Sequence, residues 1–350
     1  MTLREFYEGR RVLVTGHTGF KGAWLCHLLK GMGAEVTGYA LEPPTNPNLF
    51  TLARVWEGMD SVQGDIRSLS RLRDAFTKAR PEIVFHLAAQ PLVRASYREP
   101  VYTYETNVLG TVNALDCARQ VDSVRSFVNV TTDKVYRNLE REAGYSENDE
   151  LNGFDPYSNS KSCSELVTAC YRSAFFSDGR AAVSTARAGN VIGGGDFARD
   201  RILPDCLRAA SAAEPILVRN PHSVRPYQHV LEPLHAYLLI AMRQMENPAL
   251  SGSYNVGPKQ GDVMETGALT DCFCRAWGDG ARWEARPDGG PHEAKLLTLN
   301  CEKIRDALGW TPRWNAAEAV ARTVAWHKAY LAGEDVTDVM DRQIEAYENA

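Results

Sequence analysis

Short apolar runs alternate with longer amphipathic stretches along the first 190 residues of the chain. The runs are rich in β-branched residues and have the length of buried strands: RRVLVTG (10–16), AEVTGYAL (34–41), EIVFHLAA (82–89), SFVNVTT (126–132) and AAVSTARAGNV (181–191). The stretches between them carry apolar residues at helical spacing, as in 19–33, 101–120 and 157–175. This order predicts an α/β fold with a Rossmann-type, doubly wound parallel sheet.

The pattern changes after about residue 190. Segments rich in Gly, Pro and single charges, such as GGGDF and EPILVRNPHSVRPY, separate shorter helical patterns. We therefore expect a dinucleotide-binding domain over 1–185. Residues 186–350 are expected to form mainly a smaller C-terminal substrate-binding lobe, with some segments returning to the first domain. The chain has no internal repeat and no long linker, so the two parts are expected to pack together.

Composition narrows the class of protein. The 350 residues are 44% hydrophobic, with a formal net charge of -5 and basic residues spread along the chain. This balance argues against a nucleic-acid surface or a basic membrane patch. The apolar runs are shorter than the ~20 residues that span a bilayer. The eight cysteines lack zinc-site spacing and are interpreted as free thiols, so we expect a cytoplasmic protein with no metal site.

A glycine pattern follows the first predicted strand. Gly16, Gly19 and Gly22 form G-x-x-G-x-x-G between a strand and a helix, where glycine lets the backbone approach a pyrophosphate at the helix N-terminus. The second strand ends near Glu42 with no arginine beside it, which favours NAD over NADP. Glu42 is either a ribose ligand or a solvated loop charge.

Two later segments offer further cofactor contacts. Asp65 stands where an adenine amino group could be held, and small side chains at Ala88 and Ala89 would let a cofactor lie close to the strand. Turn chemistry or strand packing would explain the same residues. The candidate NAD contacts are Gly16, Thr18, Gly19, Phe20, Gly22, Asp65, Ile66, Ala88, Ala89, Gln90, Asn107, Tyr157 and Lys161.

A tyrosine and a lysine four residues apart open a predicted helix. Tyr157 and Lys161 in DPYSNSK lie one turn apart on one face. An ammonium beside the phenol would lower the pKa of the tyrosine toward that of a useful base. The same ammonium could bind a nicotinamide ribose. As an isolated pattern, the pair could equally be a surface contact.

Together with the glycine loop and Thr132 at a strand end, this pair resembles the short-chain dehydrogenase/reductase superfamily, in its extended branch acting on nucleotide sugars. The resemblance implies a Thr132, Tyr157 and Lys161 triad, with Asn107 supporting the backbone. Asp133, directly after the threonine, is typical of sugar 4,6-dehydratases. In these enzymes the tyrosine takes the C4 hydroxyl proton while hydride passes to NAD, the acid protonates the departing C6 hydroxyl, and the hydride returns to C6.

Lys134 stands where most of these dehydratases have a glutamate that deprotonates C5. With HTGFKGAWL, AAQPLVRASY, TTDKVY, ARAGNVIGGGD and RPYQHVLEPL, the chain closely resembles CDP-glucose 4,6-dehydratases, whose product feeds deoxysugar synthesis. Lys134 either loses its proton and acts as the C5 base, or stays charged and stabilises the enolate-like intermediate or Asp133. The resemblance also implies a homodimer or homotetramer.

Nucleotide-sugar contacts are expected in the second half of the chain. The family motifs map onto Asn190, Arg201 and Arg225, whose groups suit a diphosphate. The further candidates are Asn255 and His292. Tyr227 replaces a common tryptophan, so another hexose or a heptose remains an alternative substrate to CDP-glucose. An epimerase or reductase, or a noncatalytic dinucleotide sensor, is the alternative function.

Overall fold

The computed structural model describes residues 1–287, 289–290 and 294–350. A parallel sheet forms its centre, and three small two-stranded sheets lie in the second half of the chain. The strands of the described part are β1 Arg11–Thr15, β2 Glu35–Ala40, β3 Asp60–Gln63, β4 Ile83–His86, β5 Ser126–Val130, β6 Ala182–Ala188, β7 Val191–Ile192, β8 Ile216–Val218, β9 Val224–Arg225, β10 Gln228–His229, β11 Ser253–Val256, β12 Met264–Glu265 and β13 Trp283–Ala285.

Helices connect these strands and cover the sheet. They are α1 Leu3–Tyr7, α2 Phe20–Gly31, α3 Leu49–Leu52, α4 Leu69–Ala79, α5 Val93–Arg98, α6 Pro100–Tyr104, α7 Gly110–Gln120, α8 Pro156–Phe175, α9 Ile202–Ser211, α10 Leu231–Glu246, α11 Thr266–Trp277, α12 Glu302–Leu308, α13 Ala316–Leu331 and α14 Val336–Glu348. A π-helical turn, Glu105–Leu109, joins α6 to α7, and short 3-10 turns cover Asp133–Val135, Pro248–Leu250 and Gln260–Asp262.

The main sheet has seven strands in the order β11-β6-β5-β4-β1-β2-β3, and every neighbouring pair is parallel. The chain moves outward in one direction from β1 to β3 and then crosses to β4 on the other side of β1. This reversal makes a crevice at the carboxyl ends of β1 and β4, the usual ligand position in such sheets. The predicted Rossmann-type, doubly wound fold is confirmed.

Side chains alternate between two cores on the faces of the sheet. Val12 and Val14 of β1 pack with α2 and α10, whereas Leu13 between them packs with α4 and α7. The strands β4, β5 and β6 are buried at every position, as expected for a parallel sheet covered on both faces. Helices therefore hold the strand ends in fixed positions, which is what a site at those ends requires.

Some elements of the second half of the chain form a third apolar core, and others pack with the main sheet. Strand β8, helices α9, α11 and α13 and their neighbours share a separate apolar cluster around Leu207, Leu269 and Phe273. In contrast, β11 pairs with β6 as the edge strand of the main sheet, and α10 packs in the core beside α2. Within the described ranges, no helix is long and apolar enough to span a membrane.

Candidate active site

The glycine loop between β1 and α2 is tightly packed against the strand end of β4. Gly16 has φ +77°, and a Cβ there would lie 2.8 Å from the backbone nitrogen of Ala88. A Cβ on Gly22 would lie 2.1 Å from the carbonyl oxygen of Gly16. Gly19 differs, because its nearest neighbour would be 3.4 Å away. Two glycines of the predicted motif are therefore required by packing, and the third is not.

The start of α2 fits the diphosphate of a dinucleotide. Gly19 is the N-cap and supplies no side-chain hydrogen bond. Among the residues that the structure describes, the N–H groups of Phe20 and Lys21 have no acceptor. Unpaired N–H groups at the N-terminus of a 12-residue helix attract an anion. The Thr18 hydroxyl donates to the carbonyl of Leu41 at 2.9 Å, which fixes the loop beside β2.

The segment after β4 is held by Asn107 in the π-helical turn. Its Oδ1 accepts from the Gln90 N–H at 2.8 Å, and its Nδ2 donates to the Gln90 carbonyl at 3.1 Å and to Ser160 at 2.9 Å. The Gln90 side chain in turn binds Leu92 and Thr103. Asn107 and the Gln90 side chain therefore hold the backbone of this segment in place. Contacts of Gln90 and Asn107 with a cofactor remain predictions.

Asp65 and Ile66 follow β3 at the adenine end of the crevice. Arg67 donates to the Asp65 carboxylate from its backbone and from its guanidinium, the latter at 2.8 Å from Nη2. This pair lowers the pKa of Asp65, with the Arg67 hydrogen bond as the largest cause. Ile66 is buried, and Glu42 is exposed. Contacts of these residues with an adenosine remain predictions.

Asp133 and Lys134 begin a 3-10 turn shortly after the end of β5, and Thr132 is the N-cap of that turn. The Thr132 hydroxyl donates to Asp133 Oδ1 at 2.9 Å, and Lys134 Nζ lies 3.1 Å from the same oxygen. Lys134 also donates to Asn190 Oδ1 at 3.2 Å. Asp133 is fully buried, and a Cβ on Gly189 would lie only 2.3 Å from its Oδ2. The ion pair of Asp133 and Lys134 thus lies just after the end of β5, where the sequence predicted catalytic residues.

Helix α8 presents Tyr157 and Lys161 to the same place. Asp155 caps the helix by accepting from the N–H of Ser158 at 3.0 Å, and Pro156 occupies the first turn. The next residue is Tyr157, so the cap sets its position. Lys161 Nζ donates to the Val130 carbonyl at 3.1 Å, at the end of β5.

The expectation that Lys161 lowers the pKa of Tyr157 is wrong for this structure. Burial raises the pKa of Tyr157 to about 12, and the hydrogen bond from Thr132 acts in the opposite direction without overcoming it. Burial also lowers the pKa of Lys161 to about 8. The reason is that the ammonium binds a carbonyl oxygen at the strand end, while the phenol is enclosed by the cavity wall.

A buried ion pair supports the strand ends from below. Arg187 Nη2 lies 2.8 Å from Glu165 Oε2, with both side chains almost inaccessible to water. Glu165 Oε1 also accepts from the Thr131 hydroxyl at 2.5 Å, and Oε2 accepts from Thr185 at 2.7 Å. The pair therefore ties α8 to β5 and β6. Sequence reasoning missed it, because its members lie 22 residues apart.

A cavity of about 1340 Å³ opens above these residues and extends toward the second half of the chain. Thr132, Lys134 and Tyr157 line one end, and β8 and α9 line the other. Its size suits a nucleotide sugar rather than a small metabolite. Within 1–287, 289–290 and 294–350, no group of His, Cys, Asp and Glu side chains could hold a metal ion.

The structure places the predicted substrate residues in different surroundings. Asn190, with φ +35°, and Arg201 both line the cavity, and Arg201 Nη1 lies 2.9 Å from Asp196 Oδ2. Arg225 also lines it, but its guanidinium donates to the carbonyls of Val224 and Ala294. His292 lies outside the described residues.

The prediction that Asn255 binds substrate is wrong. Its side chain accepts from the Tyr136 hydroxyl at 2.6 Å and donates to the carbonyls of Tyr145 and Asn300 at 2.7 and 2.9 Å. Asn255 is fully buried, and the cavity wall does not include it. Its hydrogen-bonding groups join three distant segments, so none remains for a ligand.

Two cavity residues were missed by sequence reasoning. Asp196 follows the glycine run GGG and accepts from Arg201, so it orients that guanidinium. Lys21 lies inside the glycine motif and also lines the cavity. The available signal for Lys21 was a charged residue on the first turn of a helix that otherwise buries apolar side chains.

Comparison with known proteins places the chain in a family. The model of the family described as GDP-mannose 4,6 dehydratase matches residues 13–323. A CDP-glucose 4,6-dehydratase of Salmonella typhimurium is 47% identical over 99% of this chain and 98% of that protein. A dTDP-glucose 4,6-dehydratase of Streptomyces antibioticus is 30% identical over 91% of this chain and 92% of that protein.

A solved structure agrees with the fold. The UDP-glucose 4-epimerase of Thermus thermophilus, solved as a complex with NAD, is 26% identical and has a TM-score of 0.80. The superposition covers 91% of this chain and 99% of that one. The family match spans both the sheet and the cavity described above. The chain belongs to the GDP-mannose 4,6 dehydratase family.

Proposed function

We propose that the protein is a hydro-lyase that uses bound NAD to convert CDP-glucose to CDP-4-keto-6-deoxyglucose. The observation that carries this proposal is the contact of buried Asp133 with Thr132 and Lys134, two residues that line the cavity together with Tyr157. An epimerase needs no acid at this place, because it removes and returns hydride at one carbon. The 47% identity to a CDP-glucose 4,6-dehydratase over nearly the whole chain supports the substrate.

NAD, when bound, takes a hydride from C4 of the sugar and returns it to C6. We propose that Gly16, Gly19 and Gly22 admit its diphosphate to the N-terminus of α2, where the unpaired N–H groups lie. Lys161, at the end of β5, is placed to bind its ribose. The fit of these groups, rather than any one residue, supports the cofactor.

Tyr157 is proposed to take the proton of the C4 hydroxyl, with Thr132 holding the same oxygen. A phenol with a pKa of about 12 is a poor base near neutral pH. The oxidised nicotinamide carries a positive charge, and a cation near a phenol lowers its pKa. Binding of the cofactor and activation of Tyr157 are therefore linked, so the base becomes effective only in the loaded enzyme.

We propose that the Asp133 carboxylate takes up a proton from water before elimination. A water molecule in the cavity then accepts the C5 proton, and Asp133 gives its proton to the departing C6 hydroxyl, which leaves as water. Of the two roles open to Lys134, the contacts favour the charged one, because its ammonium lies 3.1 Å from a buried carboxylate and donates to Asn190. A charged Lys134 stabilises the oxygen charge that develops at C4 when C5 is deprotonated. It also holds the Asp133 carboxyl in place.

The nucleotide diphosphate is proposed to lie along Arg201 and Arg225. Asp196 fixes the Arg201 guanidinium at 2.9 Å, and the backbone carbonyls fix that of Arg225, so both are preorganised for an anion. We further propose the division of labour expected from the sequence: 1–185 binds NAD, and 186–350 mainly binds substrate. Strand β11 and helix α10 return to the first domain.

A second copy of the chain is the proposed partner of an apolar surface on α6, the π-helical turn and α8. Val101, Leu109 and Leu166 are 70, 55 and 57% exposed there. Two helices with exposed apolar side chains from each copy would form a four-helix interface. We therefore propose a homodimer as the basic unit, and light scattering of the purified protein tests it.

The experiment that tests the substrate offers CDP-, dTDP-, GDP- and UDP-glucose separately to the purified enzyme without added NAD. Mass spectrometry follows the loss of one water from each. We expect loss from CDP-glucose at the highest kcat/KM. Loss only from another nucleotide would refute CDP-glucose as substrate and keep the dehydratase, whereas no loss from any of them would refute both.

A further inference from the structure

Lys21 is a basic residue of the active-site cavity to which the proposed reaction gives no role. Lys21 is the second residue of α2 and lines the cavity with Thr132, Lys134 and Tyr157. Its backbone follows Gly19 of the glycine loop, while its side chain lines the active-site cavity. This position connects the cofactor-binding loop to the reacting end of the cavity.

Among the described residues, the ammonium of Lys21 has no hydrogen bond or ion pair, and its one close contact is with the ring of Tyr237. Lys134 has Asp133, Arg201 has Asp196, and Lys161 has the Val130 carbonyl. Lys21 is partly exposed and lines the cavity. A cation in a cavity without an anion of its own can act by its charge on a ligand bound there.

The side chain of Lys21 shares the cavity wall with Thr132 and Tyr157, which are proposed to act on the C4 hydroxyl. Its Nζ lies 5.8 Å from the ring centre of Tyr237 on α10. The charges of Lys161, Arg201 and Asp133 act on its pKa. The ammonium is therefore placed near the proposed hydride-transfer residues and the proposed acid.

The electrostatics of Lys21 agree with this placement. Burial, followed by repulsion from Lys161 and Arg201, lowers the pKa of Lys21 to about 7, and Asp133 offsets this only in part. The side chain therefore stands in a region of positive potential. A positive potential at Lys21 disfavours binding of a positively charged ligand group nearby and leaves binding of a neutral group unaffected.

We propose that Lys21 tunes the redox balance of the bound cofactor by placing positive charge near the nicotinamide ring. The inference rests on the proposed function, because it needs NAD at the Tyr157 end of the cavity. In the first step, C4 gives a hydride to the nicotinamide and its hydroxyl proton to Tyr157, so the alcohol becomes a ketone. The ring loses its positive charge in that step. Lys21 therefore favours the reduced ring and assists oxidation at C4.

The test measures binding of oxidised and reduced cofactor to the full-length protein in the absence of substrate at pH 6, below the Lys21 pKa of about 7, so that the ammonium is charged. Lys21→Met should tighten binding of NAD+ and leave NADH nearly unchanged, so that Kd(NADH)/Kd(NAD+) rises about tenfold, the size expected for two like charges several ångströms apart in partly screened surroundings. Lys21→Arg retains the charge and should keep the wild-type ratio. Lys30→Met, on the same helix but hydrogen-bonded to Val55 and Glu57 carbonyls, is the matched control.

Two results would overturn the proposal. Equal weakening of both forms in Lys21→Met would mean that Lys21 binds the diphosphate, which both forms carry. An unchanged ratio in Lys21→Met would mean that its charge does not reach the ring. Neither result depends on the sugar nucleotide, so failure of this inference is distinguishable from failure of the proposed substrate. Lys21→Gln serves as a second neutral variant if the methionine variant does not fold.

Discussion

Replacement of Asp133 by asparagine separates the two halves of the proposed reaction. The amide has nearly the same shape, and its Oδ1 can still accept from Thr132 at 2.9 Å and from Lys134 at 3.1 Å. Lys134 is 29% exposed, so water compensates part of the lost ion pair. The variant should fold with the same turn after β5 and lack only the proton donor.

The expected magnitude differs between the two steps. Loss of a general acid slows the step that it serves by roughly 10²- to 10⁴-fold, or about 3 to 5 kcal/mol of barrier. Water loss should slow by that amount. The charge of Asp133 raises the pKa of Tyr157, so its removal lowers that pKa and leaves oxidation at C4 no slower. The reduced nicotinamide should therefore accumulate on Asp133→Asn and decay slowly.

Single-turnover measurements on Asp133→Asn follow the absorbance of reduced nicotinamide and the loss of water from CDP-glucose in the same mixture. In heavy water, recovered substrate should carry deuterium at C5, because deprotonation there precedes C6–O cleavage. Tyr157→Phe is the control, since it should block oxidation and accumulate nothing. The reasoning is refuted if Asp133→Asn loses oxidation and elimination equally, or if its elimination rate is unchanged.

Two further predictions concern the loop and the buried lysine. Gly22→Ala should abolish NAD binding, because its Cβ would lie 2.1 Å from a backbone oxygen. A Cβ on Gly19 would meet nothing closer than 3.4 Å, so Gly19→Ala should keep the unliganded fold. Equal melting temperatures for the two variants would contradict this difference. Lys161→Met should raise the free energy of unfolding by about 2 kcal/mol near neutral pH while abolishing turnover. A folded-state pKa of about 8, below the unfolded value of 10.5, makes the wild-type lysine destabilising below pH 8, and this penalty disappears as pH rises toward 10.5. If the difference in free energy of unfolding between Lys161→Met and the wild type does not shrink between pH 8 and 10.5, burial of the charged lysine is not its cause.

The sheet was predictable because its signals are local. Apolar runs of strand length mark β1, β2, β4, β5 and β6, whereas the short polar strand β3 gave no such signal. The glycine loop and the Thr132 turn each lie within a few residues of a strand end. In a parallel sheet the carboxyl ends meet at one edge, so residues from separate strand ends could be assigned to one site before any coordinates were known.

The errors concern groups whose partners are far away in sequence. Asn255 looked like a ligand because its neighbourhood gives no sign of Tyr136, Tyr145 or Asn300, which satisfy it in the fold. The pKa of Tyr157 was predicted from a neighbour four residues away, whereas burial by the whole cavity wall decides its direction. Burial and long-range hydrogen bonds follow from packing, which sequence spacing does not encode.

The central claim is an intramolecular redox dehydration, and the fate of a labelled hydrogen tests it most directly. CDP-glucose carrying deuterium at C4 is incubated with the enzyme, without added cofactor, and the product is examined by mass spectrometry and NMR. The account predicts loss of one water and deuterium at C6 of the 4-keto product, because one bound NAD carries it between the two carbons. Deuterium retained at C4, without loss of water, would contradict the account.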